Sequence, residues 1–406
     1  MIFDALVLKV ASRCNLNCSY CFMYNLGDTT YKNQPKFMSD TTVDNILKKV
    51  KSYILKFNKE KFTFLFHGGE PLLASEEFYR LFISKANQLQ KNLDKVTFYY
   101  EMQTNGVLIN DSWLNLFKEL NIYPSVSVDG TPKAHDMFRV DHKGKGSYED
   151  VFKGVSLLKN KMGHADIACV INTKENPKET YDSFKKMNVS LVNFLIPDYT
   201  HDNFPFNKDK NTMSNWLIEL FDIWINDPER YKIPMFIGFI NSLLRITENT
   251  ENESKVLVIE TNGEIEAIDS LKACGNGFTK TGLSINNNEF SDIKNSPLGS
   301  LYFGSHGSKL CNQCMECPLN EICKGGRLVH RYSKKNGFNN PSVYCKDLIT
   351  FIAHIQNYFM NTLPELHKEE NIEAINPSEI IEYLNTIPSR SSHSYSKELE
   401  AFSNSI

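Results

Sequence analysis

The chain has 406 residues, 41% of them hydrophobic and 23% charged, ordinary values for a soluble globular protein with one large core and a smaller second unit. A formal net charge of −3 gives no reason to expect nucleic acid or an anionic membrane as a partner, and no apolar run approaches the roughly 18 residues of a membrane span. The start, Met1-Ile2-Phe3-Asp4, has neither a basic n-region nor a small-residue cleavage site, so a cytoplasmic location is expected.

A first strand is predicted at Leu6–Val10, and it opens directly onto Ser12-Arg13-Cys14-Asn15-Leu16-Asn17-Cys18-Ser19-Tyr20-Cys21. Spacing C-x3-C-x2-C on a short loop lets three thiolates converge on one iron–sulfur cluster and leaves the fourth iron without a protein ligand. An open metal position is where substrate chemistry takes place. A zinc knuckle is the structural alternative, but zinc wants a fourth protein ligand nearby, and the closest histidine, His67, belongs to another loop.

Further strands follow at Phe62–Phe66, Val96–Glu101, Ser125–Val128, Ala165–Ile171 and Ser190–Ile196. Helical patterns lie at 41–57, 75–92, 111–120, 148–161, 176–187 and 212–226. This alternation predicts βαβ units and a parallel sheet. Six units are too few for a closed eight-fold barrel, so the expected fold is α/β, an open, partial (β/α)6 barrel. Three polar or glycine-rich segments sit at predicted strand ends, where parallel α/β folds place ligands. They are Gly68-Gly69-Glu70-Pro71, Gln103-Thr104-Asn105-Gly106 and Ser127-Val128-Asp129-Gly130.

The polar stretch Glu248–Lys255 then breaks the pattern, and Val256–Ile259, Thr261-Asn262-Gly263 and Ile265–Ile268 read as a β-hairpin turned by Asn-Gly. Beyond it the chain is rich in Gly, Asn and Cys to about 348, too poor in apolar residues to build a core without a metal site. Cys311-x2-Cys314-x2-Cys317-x5-Cys323 and, further on, Cys345 supply the ligands; a structural zinc ribbon is the alternative to iron and sulfur. The tail holds helical stretches at 347–361 and 377–385 and the polar run Pro388–His393, expected to be mobile. Expected divisions are 1–235 for the barrel, 236–348 for a bridging helix, hairpin and cysteine-rich domain, and 349–406 for a C-terminal helix and tail. In a reducing cytosol, the chain's ten cysteines point to ligation or catalysis rather than a disulfide framework, although Cys169, inside an apolar strand, reads as a buried small hydrophobe.

Residues 3–200 resemble the radical S-adenosylmethionine (SAM) superfamily, whose C-x3-C-x-Φ-C motif follows the first strand of a partial barrel; Tyr20 fills the aromatic slot. The resemblance implies that Cys14, Cys18 and Cys21 hold a 4Fe–4S cluster whose open iron chelates SAM, and that an electron cleaves SAM to a 5′-deoxyadenosyl radical. It implies that Gly68, Gly69 and Glu70 receive the SAM ammonium, that Ser127 lies near the ribose, and that Arg139 partners the SAM carboxylate. Arg139 in a surface ion pair is the bland alternative, and Thr104 and Asp129 either serve the cofactor or cap a turn.

The cysteine-rich region resembles the SPASM extension of radical SAM peptide- and protein-modifying enzymes, and Cys314, Cys317, Cys323 and Cys345 match the ligands of that family's second auxiliary 4Fe–4S cluster. The pattern departs at two places. Arg327 stands where a further cysteine is usual, and Ile268 precedes Asp269 where the family has Cys-Asp. The first auxiliary cluster has thus lost its usual ligands, unless Cys274 and Cys311 rebuild it; Cys311 is otherwise a spare thiol or a substituting ligand. Two clusters are expected, with room for a third. Asp269 aligns with a catalytic aspartate of sulfatase-maturating members, a candidate general base set against a plain turn residue.

Segments 325–332 and 337–345 look like a branch that modifies ribosomally made precursor peptides, several members of which form cyclophanes. The resemblance implies a precursor peptide as substrate and a reductant such as flavodoxin or ferredoxin. A dedicated N-terminal leader-binding domain is not expected, since the first strand begins by residue 3. The rival functions are formylglycine formation in sulfatases, thioether formation or epimerisation, and, outside enzymes, an iron–sulfur electron carrier or zinc-stabilised binding protein.

Overall fold

The computed structural model describes residues 2–93, 95–205, 212–245, 255–303, 310–363 and 373–388. Most of the predicted polar break at 248–255, and 389–393 of the predicted mobile run, lie outside them. The chain divides into two compact units, one of residues 1–170, 186–195 and 252–304, the other of 171–185, 196–251 and 305–406.

The first unit is built on one eight-stranded sheet. Six strands, β1 (Phe3–Ala11), β2 (Lys61–Gly68), β3 (Thr97–Thr104), β4 (Ile122–Ser127), β5 (Asp166–Val170) and β6 (Leu191–Leu195), pair parallel in chain order. Helices α1 (Asp40–Phe57), α2 (Glu76–Lys91), α3 (Asp111–Leu120), α4 (Pro132–Phe138) and α5 (Tyr148–Met162) connect them. This is the expected open, partial barrel.

The helix ends follow their sequence. Ser39, Ser75 and Asn110 cap α1, α2 and α3 by accepting a hydrogen bond from the backbone N–H three residues on. Asn58 and Asn121 close α1 and α3 in the left-handed conformation that asparagine tolerates. One sheet face is aromatic: Phe64 and Phe66 of β2 meet Phe82 of α2 edge-to-face at 5.2 and 5.1 Å. The alternating residues of the other face are half-buried or polar, and Lys9 of β1 lies directly beside His67 of β2.

The hairpin forms, as β7 (Lys255–Ile259) against β8 (Ile265–Glu266), with Gly263 at φ +89° in its turn. It is also part of the sheet, because β7 runs parallel to β1. β4 begins at Ile122, three residues before the predicted Ser125, because Pro124 hides the strand from propensity. β3 runs on past the predicted Glu101 to Thr104, through the polar Gln103 and Thr104.

In the second unit, helices α6 (Pro177–Lys186), α7 (Met213–Ile225) and α8 (Pro234–Leu243) are joined by two C-terminal helices, Cys345–Thr362 and Pro377–Asn385. Phe221, Phe236 and Phe351 pack edge-on or tilted between α7, α8 and helix 345–362. The cysteine-rich segment contributes only single turns of helix, at Asn312–Met315, Asn320–Cys323 and Leu328–Arg331. No described helix is long and apolar enough to cross a membrane.

Candidate active site

β1 ends at Ala11, and the three-cysteine loop that follows is strapped to residues 138–142. Asn17 N–H donates to the Val140 carbonyl at 2.7 Å and Ser19 N–H to Phe138 at 3.1 Å, while His142 Nε2 bonds the Cys14 carbonyl at 2.9 Å. Within the loop, Cys21 N–H donates to the Cys18 carbonyl, and Tyr24 and Asn25 N–H to the Cys21 carbonyl.

Burial pushes all three thiols up, Cys21 to about 11, and repulsion from the neighbouring thiolates adds to this at Cys14 and Cys21. Polar donors nevertheless face the sulfurs: Leu16 N–H lies 3.4 Å from Cys14 Sγ and Asn105 Nδ2 lies 3.7 Å from it. The backbone of Met23 and Tyr24 serves Cys21 in the same way. Three crowded, buried thiols provided with N–H donors fit a bound cation that takes them as thiolates. Among the described residues no three His, Cys, Asp or Glu side chains are close enough together to hold a single metal ion. A cluster makes a different demand, since each thiolate ligates its own iron.

The second loop zips onto the first. Gly69 N–H donates to the Ala11 carbonyl at 2.8 Å and Glu70 N–H to Arg13 at 2.9 Å. That approach requires both glycines: a Cβ on Gly68 or Gly69 would stand 2.2 Å from the carbonyl oxygen of Ala11 or Arg13. Glu70 is fully buried, and accepts from Leu72 N–H at 2.9 Å, Thr104 Oγ1 at 2.7 Å and Asn105 N–H at 2.7 Å. Burial raises its carboxyl to about 7, against the pull of those donors. A carboxyl so strained for charge is suited to a cationic ligand group. Ser127 accepts from Gln103 Nε2 at 2.9 Å.

Arg139 and Tyr20 are brought together on Asp129. Arg139 Nε donates to Asp129 Oδ2 at 2.9 Å, Tyr20 donates its hydroxyl to the same oxygen, and Val170 N–H takes Oδ1 at 3.0 Å. The guanidinium lies 5.5 Å from the Tyr20 ring centroid, so the arginine is buried in this cluster and not at the surface.

Asp269, just beyond β8, forms an ion pair with the fully buried Lys9, whose Nζ also lies 3.0 Å from His67 Nδ1. Burial alone would raise the aspartate, but Lys9 outweighs it and holds the carboxyl well below the usual range. Burial and the same ammonium push His67 down to about 3, so the ring is neutral. Because an ammonium only donates, Nδ1 of His67 is the acceptor and Nε2 carries the proton.

In the second unit, Cys314, Cys317, Cys323 and Cys345 all line one small apolar cavity together with Ile349 and Leu384. Cys323 is followed by three left-handed residues, Lys324, Gly325 and Gly326, a turn that aims two N–H groups at its sulfur. Burial pushes Cys323 to about 11 and Cys345 to about 12. These four fit one auxiliary cluster by the same reasoning as the first three. Cys311 is not among the cavity's lining; it packs beside Cys314, and its interaction with that thiol holds it below the usual thiol range. Arg327 pairs with Asp198 at 2.7 Å and donates to the Ile196 carbonyl, so an ion pair occupies the position of the usual further cysteine. Cys169 is buried on β5 and Cys274 ends a buried 3-10 turn in the first unit.

Lys9, His135 and Ser147 join these clusters without a local signal in the sequence. Lys9 was hidden because a lysine in an apolar strand reads as a surface residue, and only the β1–β2 register puts it beside His67.

Residues 8–188 match the radical SAM superfamily domain. The cysteine-type anaerobic sulfatase-maturating enzyme of Clostridium novyi (strain NT) is 27% identical over 368 residues, 85% of this chain and 93% of that protein. The serine-type anaerobic sulfatase-maturating enzyme of Bacteroides thetaiotaomicron is 25% identical over 397 residues, 90% of this chain and 92% of that one. The solved structure of native anSMEcpe with bound AdoMet and Cp18Cys peptide superposes with a TM-score of 0.72 at 23% identity, covering 89% of this chain and 99% of the other. With the domain match, the three-cysteine loop after β1 and the partial barrel, residues 8–188 form a radical SAM superfamily domain, the domain of enzymes that use a 4Fe–4S cluster and SAM.

Proposed function

We propose that this enzyme abstracts hydrogen from a residue of a ribosomally made precursor peptide and closes an intramolecular cross-link, a C–C cyclophane. A peptide or protein substrate is supported by the near end-to-end similarity to sulfatase-maturating enzymes. The observation that carries the cross-link over formylglycine formation is Arg327. It is committed to Asp198, and with Ile268 it removes ligands that the SPASM pattern uses for a first auxiliary cluster.

In this reading Cys14, Cys18 and Cys21 hold the SAM-binding cluster, and Cys314, Cys317, Cys323 and Cys345 one auxiliary cluster. When bound, cluster and SAM would together supply a 5′-deoxyadenosyl radical that takes one substrate hydrogen atom; the second hydrogen lost in closing the bond would leave as a proton and an electron, the electron to the auxiliary cluster that Cys314, Cys317, Cys323 and Cys345 would hold. The protein's part is placement. Glu70 receives the SAM ammonium, Gly68 and Gly69 let the backbone close in, and Ser127, Thr104 and Tyr20 shape the ribose and methionyl side. Asp269, already ionised by Lys9, is a weak base, so it orients substrate by accepting a hydrogen bond.

Formylglycine formation is the second reading, favoured by the same full-length similarity. Mass spectrometry of the cognate peptide after reaction separates them. A cross-linked product is lighter by about 2 Da, because one new bond replaces two hydrogens, and shows no backbone fragmentation inside the bridge. Oxidation of serine to an aldehyde gives the same mass change, so the product is also treated with a hydrazide. A trapped carbonyl would establish the second reading, an unchanged mass would mean epimerisation, and a link through sulfur would sink the cyclophane.

A further inference from the structure

The strap at residues 138–142 does more than pin the cysteine loop, because it carries Arg139 into the protein beneath Cys18. The residue is 8% exposed, its Nε is fixed on Asp129, and its charge pulls the Cys18 thiol down against the rise that burial causes. The backbone around it is fixed as well. Asp129 N–H donates to His135 Nδ1 at 3.2 Å, so that ring carries its proton on Nε2, which donates to Ser147 Oγ at 3.0 Å. The Ser147 hydroxyl then donates to the Arg139 carbonyl at 2.8 Å. Side chain and main chain of Arg139 are thus tied to Asp129 by separate routes, and Tyr20, between Cys18 and Cys21, completes the group.

We propose that Arg139 and Asp129 are a positioning pair whose charges set how readily the cluster on Cys14, Cys18 and Cys21 accepts an electron. The inference rests on the radical SAM assignment. A fixed positive charge beside a ligand sulfur favours the state with one more electron. The carboxylate opposes this while holding the guanidinium in place. In a water-poor site neither charge is screened away.

Opposite signs make the pair testable. The full-length enzyme, reconstituted without oxygen, is titrated with reductant, and the paramagnetic signal that changes on adding SAM is followed. Arg139→Gln is expected to make the reduction equilibrium about tenfold less favourable, about 59 mV more negative for one electron. Asp129→Asn leaves the guanidinium uncompensated, and is expected to move the potential the other way by a similar amount. Iron content is measured on each sample, and unsubstituted enzyme that never binds the cluster refutes the assignment beneath the inference instead. If Arg139→Gln loses its cluster, Asp129→Asn decides alone: a rise supports the pair, and no change or a fall overturns it. Displacement of both variants in one direction, or of neither, would mean that the group is only structural.

Discussion

Replacing Cys14, Cys18 and Cys21 together by Ala is expected to remove about half the iron from anaerobically reconstituted enzyme, from about eight atoms to about four, the content of one 4Fe–4S cluster. The remainder stays because its ligands are elsewhere. Cys314, Cys317, Cys323 and Cys345 face one cavity in the second compact unit, and the first unit supplies none of them. The variant should fold, since the loop is held by backbone bonds from Asn17 and Ser19 that do not involve the thiols. Full iron in the triple variant would show that these cysteines are not ligands. Zinc in place of the remaining iron would make the C-terminal site structural.

The second large effect is expected from a single methyl group. Gly68→Ala places a Cβ 2.2 Å from the Ala11 carbonyl oxygen, on a residue whose φ of +139° side chains rarely adopt. Neither strain can relax cheaply, because the obstacle is backbone of β1. The loop must lift, breaking the Gly69 and Glu70 bonds to Ala11 and Arg13. Loss of these contacts and the strain together cost about 2–4 kcal/mol, at the upper end of single substitutions. Isothermal titration should show SAM binding lost or weakened by more than tenfold, with a lower melting temperature. The same change at Gly144, at φ +83° but with nothing within 4 Å of the added Cβ, is the control for positive φ alone. Equal effects at both positions would mean that the close approach at Gly68 is unimportant.

How much of this was legible follows from the range of each signal. Cys14, Cys18 and Cys21 declare themselves because ligand spacing is local, as do Gly68–Glu70, where close approach admits only glycine. The six strands were legible from alternation with helices, with errors where site chemistry or Pro124 interrupted the pattern. The pairing of β7 with β1 was not, since it joins residues about 250 positions apart and leaves no local trace. Nor was α4, whose seven residues are too few for a period to appear. Arg139 was legible as a candidate, but its pairing with Asp129 was not. Only the fold brings Asp129, Tyr20 and Val170 to one carboxylate, and only the register sets Lys9 against His67 and Asp269.

On this reading Cys14, Cys18, Cys21 and Glu70 assemble a site that splits SAM reductively. The most direct test is to incubate reconstituted, dithionite-reduced enzyme with SAM under anaerobic conditions and to measure the nucleoside and amino-acid products by liquid chromatography. The expected result is 5′-deoxyadenosine and methionine in equal amounts, and neither from the Cys14, Cys18, Cys21→Ala variant. Protein that carries its full iron, binds SAM and still forms no 5′-deoxyadenosine would contradict the account.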